Sequence, residues 1–359
     1  MKLAGIFRGF PGLGRVVSGV ELLSFIGDNY NADIKLFSYL QGEEYLRQKG
    51  YSSTFNVQSH DYSSIGIIPV SEYGEYLINQ IKDFSPEIIL IDGEPLMLQL
   101  LRLNFPNIKI VTLLNPFDVN NPYNQESSRL FFNDIYCKAD LAIVHGFWKE
   151  MKPFEHNNFH SINTIIRKEV LSIKTKCIKN KISCIIGGGT VNSKSEFEDR
   201  SLSIVQKCIM LAEMMLDFEI HIFCGSKEIY NEAEKCLIPP SVTLYSNIEN
   251  CKNYYLDSKL IIARAGRNTI SEILYLGIPA LVIPTGCIFR SKEQNANATI
   301  IEKVSNKMIV SISGNIAIES LLEKVELMID NTRDNASVWI PGNKIAAELV
   351  LDLVANENI

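Results

Sequence analysis

The feature that most constrains this chain is its alternation of short apolar runs with longer stretches of helical periodicity. Apolar runs of about four to eight residues are typical of strands buried on both faces, as in parallel sheets crossed over by helices. In the first half we predict strands near 2–7, 33–38, 88–92, 109–114 and 141–144, and helices near 15–27, 71–83, 96–104 and 126–136. The first half is therefore predicted to form one doubly wound sheet.

The same pattern restarts in the second half, after a polar stretch that we interpret as an interdomain connector. We predict strands at 182–186, 219–224, 242–244, 259–263 and 280–283, and helices at 196–216, from near 268, at 293–303 and at 343–355. The predicted fold class is α/β, with two Rossmann-like domains at 1–165 and 176–342 and the last helix, 343–359, packing back on the first. A ligand cleft is expected between the carboxyl ends of the two sheets.

Charge and composition exclude several classes of function. The net charge is -6, shared as -3 in each half, so neither half carries the clustered positive charge that nucleic acid binding requires. Hydrophobic residues make up 46%, which excludes a disordered chain. No stretch reaches the roughly 18 apolar residues of a membrane span. The basic connector could bind a membrane, but it has no amphipathic helix or aromatic residues beside it, and a solvated linker is favoured.

The cysteines indicate a cytoplasmic protein. The chain has 8, none in a C-x-x-C pair, and most lie inside apolar runs. We interpret them as reduced, buried side chains rather than a disulfide framework.

Two glycine loops follow predicted strands. The first contains Gly12 and Gly14 and ends in Arg15. Its match to a dinucleotide site is weak, because Val17 replaces the third glycine and Asp33 is a poor match to the expected acid. The second loop, Gly-Gly-Gly-Thr at 187–190, favours a phosphate cradle, with a tight turn as the alternative. No G-K-[ST] follows it, which excludes a Walker loop.

The segment 260–284 combines an apolar strand, a turn and a helix start. The strand ends at Arg264, Gly266 follows, and Asn268 or Thr269 is expected to cap the next helix. Glu272 is expected in the first turn, where a carboxylate can accept hydrogen bonds from two ribose hydroxyls near the positive end of the helix. The alternative is that Glu272 is only the third residue of a capping box.

Three motifs in order resemble the carboxyl-terminal domain of the GT-B glycosyltransferases of family 28. They are G-G-G-T, then R-A-G-x-x-T-x-S-E-x-L about 75 residues later, then the segment S-K-E-Q-N-A at 291–296. The resemblance covers about 120 to 150 residues. The connector Ile165-Ile166-Arg167 and the loop around Gly12 and Gly14 also resemble those of the family.

The resemblance implies a UDP- or dTDP-sugar as co-substrate, no cofactor, and inversion of the anomeric centre without a metal. Within the donor site it places the triple-glycine loop near the diphosphate, Arg264 and Gly266 beside the base and phosphates, Glu272 on the ribose, and Glu293 and Gln294 on the sugar. The implied donor-binding residues are Gly188, Gly189, Thr190, Arg264, Gly266, Asn268, Thr269, Glu272, Glu293 and Gln294. The sequence has no D-x-D motif, and His156 and His160 lack an acidic third ligand.

The chain departs from the family where many relatives have a histidine, because Arg15 stands there. The usual candidate base is therefore missing, and Arg15 is expected to assist phosphate or acceptor binding. A transferase must still take a proton from its acceptor. Asp92, at the end of the strand 88–92, is our first candidate and Glu94 the second, with a loop-capping pair as the alternative. His145 is a third candidate, although a lone histidine at a strand end is more often structural.

We therefore expect a cytoplasmic glycosyltransferase that acts on an unidentified acceptor. A nucleotide-sugar hydrolase on the same fold and a non-catalytic partner subunit that binds a nucleotide sugar are the alternatives. A 2-epimerase is disfavoured, because its several acidic and histidine positions are not found. The sequence does not predict the oligomeric state and gives no support to membrane association.

Overall fold

In the computed structural model the described residues are 1–9, 12–52, 68–153, 156–173, 179–186, 201–246, 250–284, 291–329 and 339–355, with the backbone alone for 68–72. The chain divides into two compact units. The first comprises Met1–Ile166 together with Pro341–Ile359, and the second comprises Arg167–Ile340.

The first unit contains a six-stranded sheet. Its strands are β1 (Lys2–Phe7), β2 (Asp33–Phe37), β3 (Ile88–Asp92), β4 (Lys109–Leu114), β5 (Leu141–Gly146) and β6 (Phe159–Asn163). They lie in the order β2-β1-β3-β4-β5-β6, and every neighbouring pair is parallel. The helices between them are α1 (Gly14–Tyr30), α2 (Gln41–Gln48), α3 (Ile68–Phe84), α4 (Pro95–Asn104), α5 (Pro116–Val119) and α6 (Glu126–Tyr136).

Both faces of this sheet are covered by helices. Alternate side chains of β1 enter different cores: Leu3 and Phe7 pack with residues of α1, whereas Ala4 and Ile6 pack with residues of α3 and α4. Burial on both faces explains why β1, β3, β4 and β5 appear in the sequence as continuous apolar runs.

Strand β6 corrects the predicted connector. Its sequence is Phe-His-Ser-Ile-Asn, and Ile162 is its one buried side chain. The strand lies at the edge of the sheet. An edge strand needs no continuous apolar run, so this segment looked like linker in the sequence.

The second unit contains another six-stranded sheet. Its strands are β7 (Lys181–Ile185), β8 (Glu219–Phe223), β9 (Val242–Tyr245), β10 (Leu260–Arg264), β11 (Ala280–Ile283) and β12 (Ile309–Ser311). Their order is β12-β11-β10-β7-β8-β9, again parallel throughout. The helices are α7 (Lys168–Leu171), α8 (Ser201–Met214), α9 (Lys227–Ala233), α10 (Lys252–Tyr255), α11 (Arg267–Leu276), α12 (Ser291–Val304) and α13 (Ile318–Ile329). The two parallel sheets with their helices confirm the predicted α/β class.

The chain ends with helix α14 (Asn343–Ala355), which packs against α1 of the first unit. Asn343 fixes the start of this helix to the end of the first segment. Its Nδ2 donates to the carbonyl of Ile166 at 2.8 Å, and its Oδ1 accepts from the backbone N–H of Ile166 at 3.1 Å.

Two further observations concern the described ranges only. None of the helices in them is both long enough and apolar enough to cross a membrane. The cysteines in them are free thiols, at positions Cys137, Cys184, Cys208, Cys224, Cys236 and Cys251.

Candidate functional site

Charged and polar side chains gather where four neighbouring strands of the first unit end. Because the sheet order is β2-β1-β3-β4, the carboxyl ends of these strands lie side by side. We define the amino-unit cluster as the six side chains brought together there, Arg8, Arg15, Tyr39, Asp92, Glu94 and Asp118.

Arg15 holds two carboxylates of this cluster together. Its Nη1 donates to Asp92 Oδ1 at 2.6 Å and to Asp118 Oδ2 at 2.9 Å, and its Nη2 donates to Asp118 Oδ1 at 2.7 Å. Burial alone would lower the pKa of Arg15, but Asp118 and Asp92 raise it well above its ordinary value. Arg15 is therefore a permanent cation and cannot replace a histidine as a base.

Asp118 is held in its ionised form. Burial would raise the pKa of its carboxyl, but the charge and hydrogen bonds of Arg15 and the backbone N–H of Asn115 lower it. Asp118 was not among the predicted residues. It lies 103 positions from Arg15 in the chain, and the pairing of β1 with β3 and of β3 with β4 brings the two together.

Glu94 is held differently from Asp92. Its side chain is 0% exposed, Tyr39 Oη donates to its Oε1 at 2.7 Å, and Arg8 Nε lies 3.6 Å from the same oxygen. Its other oxygen, Oε2, is buried and has no hydrogen-bond partner in the described part of the chain. Burial raises the pKa of Glu94, although Arg8 and Tyr39 oppose this. Burial therefore favours the protonated form of Glu94, although the two donors beside it favour the ionised form.

The glycines near this cluster have separate roles. Gly14 begins α1, and Gly12 precedes its N-cap residue, Leu13. Gly93 lies between the two carboxylates with φ +80°, and a Cβ there would collide with the side chain of Arg15. A glycine is thus required at 93, both by the backbone conformation and by the space.

His145, the third candidate base, is fully buried at the end of β5. Its Nδ1 accepts a hydrogen bond from the backbone N–H of Ile165 at 3.3 Å. Through this contact His145 holds the backbone near Ile166, where the chain leaves the first unit.

In the second unit, five predicted donor residues lie at the end of β10 or in the helix that follows it: Arg264, Gly266, Asn268, Thr269 and Glu272. Gly266 is the N-cap residue of α11 in an extended conformation, and the helix begins at Arg267. The expected cap by Asn268 or Thr269 is therefore wrong, because the helix starts before both residues. For the same reason Glu272 lies in the second turn, not in the first turn or at the third position of a capping box.

Glu272 accepts hydrogen bonds from two side chains of this unit. Arg167 Nε donates to Oε1 at 2.7 Å and Arg167 Nη2 to Oε2 at 2.5 Å, while Tyr255 Oη donates to Oε2 at 2.6 Å. The guanidinium of Arg167 also lies over the ring of Tyr254, 5.5 Å from its centroid. A carboxylate offers about four acceptor positions, so these donors leave one.

Burial and Glu272 also set the ionisation of the two donors. Burial would lower the pKa of Arg167, but Glu272 raises it well above its ordinary value. Burial and Glu272 together raise the pKa of Tyr255. From the sequence, Arg167 was noted only as part of the connector and Tyr255 was not predicted. Neither residue lies in the motif that carries Glu272.

Three of the residues predicted to bind the sugar donor lie in β10 and α12. Arg264 is buried at the end of β10, and its Nη1 donates to Ser201 Oγ at 3.3 Å. Glu293 and Gln294 lie in the first turn of α12, the latter buried. Asn297 of the same helix donates from Nδ2 to the carbonyl of Ala265 at 3.0 Å, which fixes α12 to the turn after β10. Residues 188–190 lie outside the described residues.

The search for metal ligands covers the same described ranges. In them no group of three or more His, Cys, Asp or Glu side chains is arranged to hold a metal ion. His160 pairs with the neighbouring Asn158 at 3.0 Å, and His156 packs against the ring of Phe159.

Comparison with known proteins identifies the second unit. The family model "Glycosyltransferase family 28 C-terminal domain" matches residues 183–339. The second unit therefore carries a glycosyltransferase family 28 C-terminal domain. This family match spans β7 to α13 and contains all the predicted donor-binding residues.

Two curated relatives carry the same name, UDP-N-acetylglucosamine--N-acetylmuramyl-(pentapeptide) pyrophosphoryl-undecaprenol N-acetylglucosamine transferase. The protein of Thermosipho melanesiensis is 29% identical over 218 residues, which cover 60% of this chain and 58% of that protein. The protein of Leuconostoc mesenteroides is 21% identical over 341 residues, which cover 87% and 85%. The chain is thus similar to these enzymes at low identity.

Solved structures share the GT-B fold. Acinetobacter baumannii MurG gives a TM-score of 0.59 at 15% identity, covering 99% of this chain and 100% of that one. The complex of S. aureus MnaA with UDP gives 0.65 at 13% identity, covering 98% and 95%. The UDP-GlcNAc 2-epimerase from Methanocaldococcus jannaschii gives 0.59 at 14% identity, covering 99% and 100%. At these identities the likeness concerns the fold alone.

Proposed function

We propose that this glycosyltransferase moves a sugar from a UDP- or dTDP-sugar to a hydroxyl of its acceptor, with inversion and without a metal ion, in the cytoplasm. The observation that carries the proposal is the family 28 match over residues 183–339. Within that range Arg264 ends the strand β10, Glu272 lies in the helix α11 and Gln294 lies in the helix α12.

In this proposal Glu272 recognises the ribose of the donor. Its carboxylate is oriented by Arg167 and Tyr255, and one acceptor position on Oε1 has no donor among the described residues. A ribose with two hydroxyls needs a second position, so Arg167 must yield one of its two hydrogen bonds when the donor binds. The released guanidinium N–H then becomes available to an anionic group of the nucleotide.

The leaving group is stabilised by fixed positive charge in the same unit. The ten-residue helix α11 presents its amino-terminal N–H groups beside Gly266, and the guanidinium of Arg264 lies at the end of the preceding strand. Helix amino termini and arginines stabilise a developing diphosphate charge. In a direct displacement the acceptor oxygen bonds to the anomeric carbon, and the bond to the diphosphate oxygen breaks with its electron pair leaving on UDP. The acceptor proton passes to a carboxylate.

A nucleotide-sugar hydrolase would use the same donor site, with water in place of the acceptor. A 2-epimerase shares the fold, since the M. jannaschii enzyme superimposes as well as MurG does. A non-catalytic partner would bind the nucleotide without turnover. The products distinguish these functions: free sugar, epimerised UDP-sugar, or no product.

Thermal unfolding with and without nucleotides tests the proposal. Saturating UDP or dTDP is expected to raise the Tm by several degrees, since a ligand that binds only the folded state stabilises it. Glu272→Gln should lose this protection, whereas Asp140→Asn, which removes a carboxylate paired with Arg102 in the first unit, should keep it. Product analysis with UDP-N-acetylglucosamine, UDP-glucose and UDP-galactose then identifies the reaction. If no nucleotide raises the Tm, the proposed donor site is wrong.

A further inference from the structure

The amino-unit cluster contains a buried hydrogen-bond donor and a buried acceptor for which the described residues supply no partner. Arg8 Nε and Glu94 Oε2 are both buried from solvent, and neither has a hydrogen-bond partner in the described residues. Arg8 Nε lies 3.6 Å from Glu94 Oε1, which is beyond a normal hydrogen bond. A buried polar group without a partner destabilises the folded chain, so the arrangement favours a ligand that satisfies both.

The chemistry of the two atoms selects the kind of ligand. Arg8 Nε–H can only donate, and an ionised Glu94 Oε2 can only accept. A phosphate oxygen would accept from Arg8 but be repelled by Glu94, and an ammonium would donate to Glu94 but be repelled by Arg8. A hydroxyl does both, because it accepts through its lone pairs and donates through its proton.

We propose that the hydroxyl of the sugar acceptor binds between Arg8 Nε and Glu94 Oε2, and that Glu94 is the base that takes its proton. This inference rests on the proposed function. Tyr39 is a positioning residue, since its hydroxyl holds the other oxygen of Glu94 at 2.7 Å and so aims Oε2 at the ligand. The acceptor enters from the side of Arg8, whose side chain is 23% exposed.

The step balances without any further reactant. The hydroxyl oxygen forms a bond to the anomeric carbon of the donor, and the bond from that carbon to the diphosphate oxygen breaks. UDP leaves with the electron pair, and the hydroxyl proton passes to Glu94 Oε2. The proton returns to solvent after the product departs.

Asp92 is less suited to this step than Glu94. Arg15 donates to Asp92 at 2.6 Å, and a carboxylate that is bound to a permanent cation gives up that bond when it is protonated. Burial raises the pKa of Glu94, which brings a carboxyl closer to the pH at which an enzyme works. The first candidate from the sequence, Asp92, is thereby assigned to holding Arg15.

The experiment compares two nucleophiles that differ in whether they must lose a proton. Purified full-length chain is incubated with UDP-N-acetylglucosamine, UDP-glucose or UDP-galactose, in water or with added methanol or sodium azide. Water and methanol need a base, whereas azide attacks as an anion and yields a glycosyl azide with no proton to remove. The variants are Glu94→Gln, Tyr39→Phe and the control Asp140→Asn, each with its Tm and its UDP affinity measured.

Glu94→Gln is expected to lose transfer to water and methanol by about 10²–10⁴-fold while it keeps formation of the glycosyl azide and the affinity for UDP. Tyr39→Phe should keep all three reactions but move the midpoint of the pH profile for hydrolysis upward. The hydrogen bond from Tyr39 lowers the pKa of Glu94, so its removal raises that pKa. A purely structural role for Tyr39 would not move this midpoint. Asp140→Asn should behave as the parent chain.

Three results would overturn the assignment: equal loss of the azide and water reactions in Glu94→Gln at unchanged UDP affinity, hydrolysis by that variant at the parent rate, or UDP binding by the parent chain without transfer to any of the three nucleophiles. If the parent chain does not bind UDP at all, the proposed function itself fails. The UDP affinity of the parent chain therefore separates the two failures.

Discussion

The guanidinium of Arg167 donates to both carboxylate oxygens of Glu272, across 105 positions of the chain. The pair fixes the first residue of the second unit to helix α11. Its side chains are 18% and 1% exposed, so both charges have been taken out of water and depend on one another.

Removal of the cation should therefore be costly. Arg167→Met is expected to lower the free energy of unfolding by about 3–5 kcal/mol, because a buried carboxylate then keeps only Tyr255 as a partner among the described residues. Urea unfolding of the two chains measures this difference. Lys235→Met is the control, since Lys235 forms an exposed pair with Glu232 at 2.6 Å, and its loss should cost about 0–1 kcal/mol. Equal effects of the two substitutions would contradict the buried pair.

Gly93 should tolerate alanine less well than Gly277. Both have positive φ, at +80° and +61°, but a Cβ at 93 collides with Arg15 whereas a Cβ at 277 meets open space. Gly277→Ala is expected to cost about 1–2 kcal/mol from the backbone alone. Gly93→Ala should cost at least about 1 kcal/mol more, from displacement of the Arg15 side chain. Chemical denaturation of both variants gives the comparison, and similar losses would show that Arg15 moves freely.

The ionisation of Asp118 should make the free energy of unfolding depend on pH in the acid range. Its folded pKa lies below the ordinary value of 3.8, so its contribution to stability is fully present above 3.8 and is lost as the pH falls through the folded pKa. Asp118→Asn should therefore be less stable than the parent at neutral pH, and the difference should shrink below pH 3.8. Unfolding measured at successive pH values tests this. A difference that stays constant down to the lowest pH would argue against the pairing of Asp118 with Arg15.

The sequence predicted the central strands well because they are buried on both faces. The predicted strands 2–7, 88–92, 109–114 and 280–283 match β1, β3, β4 and β11. The edge strands β6 and β12 were missed, since one is largely polar and the other has three residues. Helix α13 was also missed, although its buried Leu321, Val325 and Met328 carry the helical spacing.

The sequence predicted those residues of the candidate site that lie together in one short segment of the chain. Asp92 and Glu94 follow an apolar strand, and that position at a strand end was visible in the sequence. The residues near them follow other strands: Arg8, Tyr39 and Asp118. The order of strands in a sheet cannot be predicted from the local sequence. The sequence shows the carboxylates, but the order β2-β1-β3-β4 decides which of them receives Arg15 and which receives Tyr39.

The most direct test of the account is the affinity for UDP of the parent chain, Glu272→Gln and Tyr255→Phe, measured by titration calorimetry. Tyr255→Phe removes a hydrogen bond to Glu272 but leaves its charge and its pair with Arg167, so it controls for a change in packing. We expect saturable binding of UDP by the parent chain, a loss of affinity of about tenfold or more in Glu272→Gln, and a smaller change in Tyr255→Phe. Absence of UDP binding by the parent chain, or equal affinity of the parent and a folded Glu272→Gln variant, would contradict the donor site proposed for this glycosyltransferase.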